Sequence, residues 1–191
     1  MESKKDIRKA AKSAVAALDI MQKSLQSMAI VTAISGDKAV QAAGTVLLFS
    51  PLESEPDITP LFDLLADKLL LLPSVEGDEL VLKRLGKSMV KGAYGILEPE
   101  GSETFTELKK IDVVIVPGVA FTPEGGRLGR GKGYYDRFLH RLASAQGCKT
   151  GRTIKTTTLI GVCFPCQLFE SLPLDPWDIP MDKVISGYYT S

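Results

Sequence analysis

The chain has 191 residues and a mass of 20.6 kDa, a size that fits one domain and buries roughly 70% of the unfolded surface without disulfide or metal staples. Lysine plus arginine number 23, as do aspartate plus glutamate, and this balance excludes the broad positive field of a general nucleic-acid or membrane-surface binder. Hydrophobic residues at 45% and charged residues at 24% place the chain with globular proteins and away from disordered ones.

In chain order, residues 4 to about 33 contain no proline or glycine, and Ile7, Ala11, Ala14, Val15, Leu18 and Met21 recur at helical spacing. This predicts an amphipathic helix or a broken pair, with Ser35-Gly36-Asp37 as its stop. Residues 45–49 read as a buried strand ended by Ser50-Pro51, and Thr59-Pro60 starts a helix reaching Leu65. Strands follow at 69–72, 80–85 and 111–116, the last halted by Pro117-Gly118. A glycine-rich loop then leads to a helix over 134–145 with Phe138, Leu139 and Leu142 on one face. Further strands are expected at 157–163 and 183–186. Strands alternating with helices, and apolar enough to be covered on both faces, predict a three-layer α/β/α domain with a mostly parallel sheet. In such sheets ligands bind beyond the carboxyl ends of strands, which singles out the loop after Val116.

The longest apolar runs have strand length, so no membrane span is expected. Cys148, Cys163 and Cys166 are too few for a disulfide framework, which suits a reducing, cytoplasmic setting. Charge is unevenly placed. Lys4, Lys5, Arg8, Lys9 and Lys12 stand against Glu2 and Asp6, and Arg127, Arg130, Lys132, Arg137 and Arg141 stand against Glu124 and Asp136. Between them residues 52–79 are acidic, with Lys68 alone in opposition. The two basic clusters either converge on one small polyanionic ligand or are separate solvated helix faces.

Five glycines in the nine residues Gly125-Gly126-Arg127-Leu128-Gly129-Arg130-Gly131-Lys132-Gly133 are costly to order. Backbone free of Cβ atoms approaches a phosphate closely, and a following helix N-terminus adds partial positive charge. Arg127, Arg130 and Lys132 supply cations within the loop. It lacks the Gly-Lys-Ser/Thr end of a Walker loop, and a dinucleotide fingerprint would lack the internal cations. Of Tyr134 and Tyr135, one is suited to stack on a planar ring and the other to join the core. Asp136 is either a helix-dipole partner or a magnesium ligand beside phosphates. Cys163-Phe164-Pro165-Cys166 spells Cys-x-x-Cys, but without a second pair or a following redox helix it reads as structural cysteines. His140, the one histidine, reads as a surface residue, and Trp177 as packing its loop in place.

The run from Val116-Pro117-Gly118 through that loop to Tyr134-Tyr135-Asp136-Arg137-Phe138-Leu139 resembles the signature of the 5-formyltetrahydrofolate cyclo-ligase family. The resemblance extends to Lys4 and Arg8 one turn apart, to Glu55-Pro56-Asp57, to Tyr94-Gly95-Ile96-Leu97-Glu98-Pro99 and to Trp177-Asp178-Ile179-Pro180-Met181-Asp182. It departs from the commoner pattern at Thr122, where the family often has aspartate. The resemblance implies a single domain over residues 1–191, Rossmann-like and of the CoA-transferase type, with residues 1–34 packing on it as a helical region. It implies an ATP- and magnesium-dependent ligase that closes 5-formyltetrahydrofolate into 5,10-methenyltetrahydrofolate, releasing ADP and phosphate. The formyl oxygen is phosphorylated, N10 attacks, and phosphate leaves.

By the same resemblance Lys4, Lys5, Arg8, Arg127, Gly129, Arg130, Gly131, Lys132, Gly133, Tyr134 and Tyr135 hold ATP. Arg127, Lys132 and Tyr135 act in catalysis, and Asp136 and Asp178 hold magnesium. Glu55, with Arg130, Gly131, Lys132, Gly133 and Tyr134, contacts the folate, Glu53 being the alternative pterin acid. Small-molecule substrates, no nucleic acid or membrane partner, and a monomer are implied. A folate- or nucleotide-binding homologue without turnover, or a ligase for another N-formyl or thiamine-related compound, are the alternatives.

Overall fold

The apolar runs assemble into one sheet. The computed structural model describes residues 2–86, 89–91, 97–99, 103–148, 154 and 156–187. Its helices are α1 (Lys4–Ala16), α2 (Ile20–Ser35), α3 (Lys38–Ala42), α4 (Leu61–Leu64) and α5 (Tyr134–Ala145). Its strands are β1 (Thr45–Leu47), β2 (Leu69–Glu76), β3 (Glu79–Arg84), β4 (Met89–Lys91), β5 (Leu97–Pro99), β6 (Thr104–Phe105), β7 (Val113–Pro117), β8 (Ala120–Phe121), β9 (Arg127–Leu128), β10 (Thr158–Cys163) and β11 (Lys183–Ser186). Of the family match around residue 94, Tyr94, Gly95 and Ile96 lie outside the described residues.

Seven strands form the main sheet in the order β11-β10-β7-β1-β2-β3-β6. The five from β11 to β2 run parallel, and β3 and β6 are antiparallel additions at one edge. The connections account for this difference. Parallel neighbours need a crossover, and α4 and α5 lie in the β1–β2 and β7–β10 connections. Between β2 and β3 only Gly77 and Asp78 intervene, with Gly77 at φ 61°, so the chain turns back as a tight hairpin.

Alternation along each parallel strand divides the core into two layers. Val46, Leu48, Leu70, Leu72, Val113, Ile115, Ile160 and Val162 face α2, α3 and α4 through Ile30, Ile34, Val40 and Leu61. Leu47, Leu71, Val114, Val116 and Leu159 face α5 through Phe138, Leu139 and Leu142. Both faces are covered, as the uninterrupted apolar runs require. A third cluster sets Ile7 and Ala11 of α1 against Val119, Ala120, Leu128 and Leu172. That contact lays α1 over the small β8–β9 hairpin.

The N-terminal helical stretch is a broken pair. Asp19 accepts from the Gln22 amide at 2.7 Å while Gln22 Oε1 accepts from the Asp19 amide at 3.0 Å, a capping box that starts α2. Asp37 does not simply end this region, because its carboxylate accepts the Ala39 amide at 2.9 Å and caps α3, which the sequence reading passes over. Asp112 accepts the amides of Gly44 and Thr45 at 2.8 and 2.9 Å, fixing where β1 and β7 begin side by side.

Candidate active site

β1 leads to β2 on one side, whereas β7, its other neighbour, leads to β10 on the opposite side. The loops beyond their carboxyl ends therefore diverge and leave a crevice. A cavity of about 330 Å³ fills it. Phe49, Leu52, Pro73, Val75 and Leu80 give it an apolar wall, and Glu55, Arg127, Arg130, Lys132, Tyr135 and Asp136 give it polar groups.

The glycine-rich segment is partly a hairpin. β8 and β9 pair through Ala120 with Leu128 and Phe121 with Arg127, which commits Arg127 to a strand and leaves residues 129–133 as the open loop. At the turn, Thr122 Oγ1 accepts the Gly126 amide at 3.1 Å, so the departure from the family's commoner aspartate keeps an acceptor. Gly125 has φ 95°, and a Cβ there would lie 2.1 Å from the Met181 carbonyl oxygen; no other residue fits. Gly133, at φ 72°, begins α5 without a side-chain cap. The uncapped first turn of α5 borders the cavity, where its dipole favours negative charge.

Within the cavity the charged side chains are matched in pairs. Arg127, with its side chain 6% exposed, donates from Nη2 to Asp136 Oδ1. Its Nη1 donates to the Pro117 carbonyl at 3.4 Å, and its guanidinium lies 5.9 Å from the Tyr135 ring centroid. Arg130 donates from Nε and Nη2 to Glu55 Oε1 at 3.0 and 2.8 Å, and from Nη2 to Ser54 Oγ at 2.9 Å. Glu55 Oε2 accepts the Leu52 amide at 3.0 Å. Lys132 is exposed at the rim and makes no ion pair among the described residues.

The two tyrosines differ. Tyr134 lies under Arg137, whose guanidinium is 5.3 Å from its ring centroid. Tyr135 meets Phe138 edge to face at 6.4 Å, and its buried hydroxyl has no hydrogen-bond partner among the described residues. Burial, reinforced by the negative charge of Glu55 and opposed by Arg127, pushes that hydroxyl well above its ordinary range. It is therefore a protonated donor at any physiological pH.

α1 closes over the loop from the other side. Arg8 Nε donates to the Gly129 carbonyl at 2.8 Å, and Lys4 Nζ lies 2.6 Å from Asp175 Oδ2 and 3.7 Å from Asp178 Oδ2. The i, i+4 spacing of Lys4 and Arg8 thus places both on the inward face, the face that carries Ile7 and Ala11. Lys5, next to Lys4, is exposed. Asp136 borders the cavity, whereas Asp178 sits beside Lys4 and accepts the Asp175 amide at 2.8 Å. Among the described residues no group of three or more His, Cys, Asp or Glu is placed to hold a metal. Asp136 and Asp178 are each a hard oxygen donor of the kind magnesium takes, and each stands beside a cation, Asp136 with Arg127 and Asp178 with Lys4.

Trp177 is 60% exposed, so it does not pack its loop; Lys4, the Asp175–Asp178 turn and buried Ile179 and Met181 hold that segment. Cys163 is buried at the end of β10, with burial pushing its thiol up to about 12, and it forms no disulfide with Cys166. This agrees with the structural reading of the Cys-x-x-Cys. Asp175 and Ser54, absent from the sequence reading, belong to the charge pairs; the only available signals were their positions three before Asp178 and next to Glu55.

The model of the 5-formyltetrahydrofolate cyclo-ligase family matches residues 1–187. The chain is similar to the 5-formyltetrahydrofolate cyclo-ligase of Escherichia coli K12, with 34% identity over 155 residues, covering 77% of this chain and 80% of that one. Its structure is similar to an NMR structure of Aquifex aeolicus 5,10-methenyltetrahydrofolate synthetase, with a TM-score of 0.80 and 34% identity over 97% of this chain and 90% of that one. The synthetase of Mycoplasma pneumoniae gives a TM-score of 0.72 at 25% identity, covering 96% and 98% of the two chains. A match across nearly the whole sequence, joined to a cation-bearing loop at the switch point of the sheet, places this chain in the 5-formyltetrahydrofolate cyclo-ligase family.

Proposed function

We propose that the chain closes 5-formyltetrahydrofolate to 5,10-methenyltetrahydrofolate with hydrolysis of ATP to ADP and phosphate. The observation that carries this reading is the convergence of Arg127, Arg130 and Lys132 with buried Glu55 and Tyr135 on one apolar-walled cavity. A volume of about 330 Å³ is at the small end for ligand pockets, enough for the pterin ring but not for a whole folate and a nucleotide. The pterin therefore enters the cavity, while the triphosphate lies along residues 129–133 and the N-terminus of α5.

An amide carbonyl is a poor electrophile, and transfer of the γ-phosphoryl group to the formyl oxygen supplies the missing leaving group. N10 then forms the new C–N bond and gives up its proton to solvent, and the C–O bond breaks with release of phosphate. The protein's part is alignment and neutralisation. Arg127, anchored by Asp136 and the Pro117 carbonyl, presents a fixed fork to phosphoryl oxygens. Lys132 adds a mobile point charge, and Lys4 and Arg8 bring charge from α1. Glu55 accepts the paired N–H donors of the pterin, and Tyr135 donates its buried O–H. The walls of Phe49, Val75 and Leu80 keep water from the activated formyl group.

Asp136 and Asp178 are the residues that would hold magnesium, which when bound neutralises phosphate charge. All of these groups come from one chain, so a monomer suffices, and free thiols suit the cytoplasm. The test is whether pure protein with ATP and magnesium releases ADP only when 5-formyltetrahydrofolate is added. Release that ignores the folate contradicts the reading.

A further inference from the structure

Glu55 and Arg130 each serve two masters. Both hydrogen bonds from Arg130 to Glu55 land on one oxygen, Oε1, at 3.0 and 2.8 Å, while Oε2 accepts the Leu52 amide at 3.0 Å. A carboxylate has about four acceptor positions, two on each oxygen. Oε1 is thus filled and a single position on Oε2 remains. A pterin edge presents two parallel N–H donors and needs both oxygens at once. It cannot bind Glu55 in this way while Arg130 stays in place.

The two partners are unequally free to move. The Glu55 side chain is 6% exposed, set in the cavity wall, whereas that of Arg130 is 36% exposed and stands between Gly129 and Gly131 in the open loop. The segment that carries Arg130 is also the one proposed to receive the triphosphate. Drawn to phosphoryl oxygens, Arg130 vacates Oε1.

We infer that Arg130 is a positioning residue that exchanges partners, from Glu55 to the triphosphate, and so couples ATP binding to folate binding. This rests on the assignment of Glu55 to the pterin and of the loop to ATP made above. The physical reason is linkage. Each ligand alone must break the Arg130–Glu55 pair, but the two together break it once, so whichever binds second is relieved of that cost. The same relief applies in either order. Bound nucleotide tightens folate, and bound folate tightens nucleotide by the same factor.

Calorimetric titration of the full chain with 5-formyltetrahydrofolate, at pH 8 and with magnesium, tests the exchange. The titration is run with and without a saturating non-hydrolysable ATP analogue. The analogue should tighten folate binding by about tenfold, within the ~5- to 150-fold range typical of coupled sites. In Arg130→Ala the folate should bind more tightly than in the wild type without nucleotide, and the analogue should then change its affinity by less than about twofold. Ser54→Ala removes one bond holding Arg130 and touches neither proposed ligand; it should tighten folate binding without nucleotide and lower the coupling.

Weaker folate binding by Arg130→Ala without nucleotide would show Arg130 holding the folate itself and overturn the exchange. So would coupling left unchanged in Ser54→Ala. A wild type that binds both ligands independently contradicts the exchange alone, whereas one that binds neither removes the functional reading beneath it.

Discussion

Tyr135 carries the sharpest test of what a single residue does. A buried donor without a partner costs about 1–3 kcal/mol, and its hydroxyl is in that state. Tyr135→Phe removes the hydroxyl and keeps the ring against Phe138 and Arg127. Thermal unfolding should therefore rise by about 3 °C, as ~1 kcal/mol gives in a chain of this length, while kcat falls by about tenfold or more for a lost transition-state donor. A lower Tm together with lower activity would instead make the hydroxyl a structural group. Asp136 has two proposed duties, holding Arg127 and holding magnesium. Asp136→Asn should reduce magnesium-dependent turnover by about a hundredfold, as for a lost electrostatic contact in a site, with folate affinity changed less than about threefold. Equal losses in both, measured by kinetics and titration, would remove Asp136 from the metal.

Among elements, α3 shows how a local charge sets a pH response. Burial pushes the Asp37 carboxyl up, but the ion pair with Lys183 at 2.6 Å and the amides of Ala39 and Val40 outweigh it and hold the group below its ordinary value of 3.8. A depressed carboxylate stabilises the fold fully above its unfolded value and loses that contribution as pH falls through the folded one. Asp37→Ala should cost about 1–2 kcal/mol at pH 7 by loss of the cap. The gap in unfolding free energy between variant and wild type should close below pH 4; a gap that persists at pH 2 contradicts the assignment.

This element also marks what sequence can and cannot deliver. The helix over 134–145 was legible to the residue, because the glycine loop ends abruptly and Phe138, Leu139 and Leu142 repeat on one face. The break before α2 is open in the sequence, as one helix or a broken pair, and the Asp19 and Gln22 capping box that sets it is seen only in the structure. Helix α3 was not legible, since Asp37 reads equally as a stop. The hairpin of β8 and β9 was hidden as well. Its strands are two residues each, too short to show a period, and its position depends on α1 and on the Met181 backbone, both remote in sequence.

For the whole molecule, neutrality has a structural meaning. Arg127 meets Asp136, Arg130 meets Glu55, and Lys4 meets Asp175. Arg8 brings the first basic cluster to the loop of the second through the Gly129 carbonyl, and three cations of the two clusters have acidic partners. In the proposed exchange Arg130 leaves Glu55 while Arg127 keeps Asp136, and Lys132 makes no ion pair among the described residues. The resemblance and the spacing of Lys4 and Arg8 singled out Lys4, Glu55, Arg127, Arg130 and Asp136, but not Ser54 or Asp175. Sequence could not supply the pairings, which join residues 4–8, 54–55, 127–136 and 175–178 through the order of strands in the sheet. That order, with β1 between β2 and β7, is also what opens the crevice.

In the proposed function this crevice couples ATP cleavage to closure of the folate ring. Purified chain given ATP, magnesium and 5-formyltetrahydrofolate should develop the absorbance of the methenyl chromophore, with one ADP formed for each methenyl product. ATP cleavage without the chromophore, or no chromophore in active-site-intact protein at saturating substrates, would contradict the account.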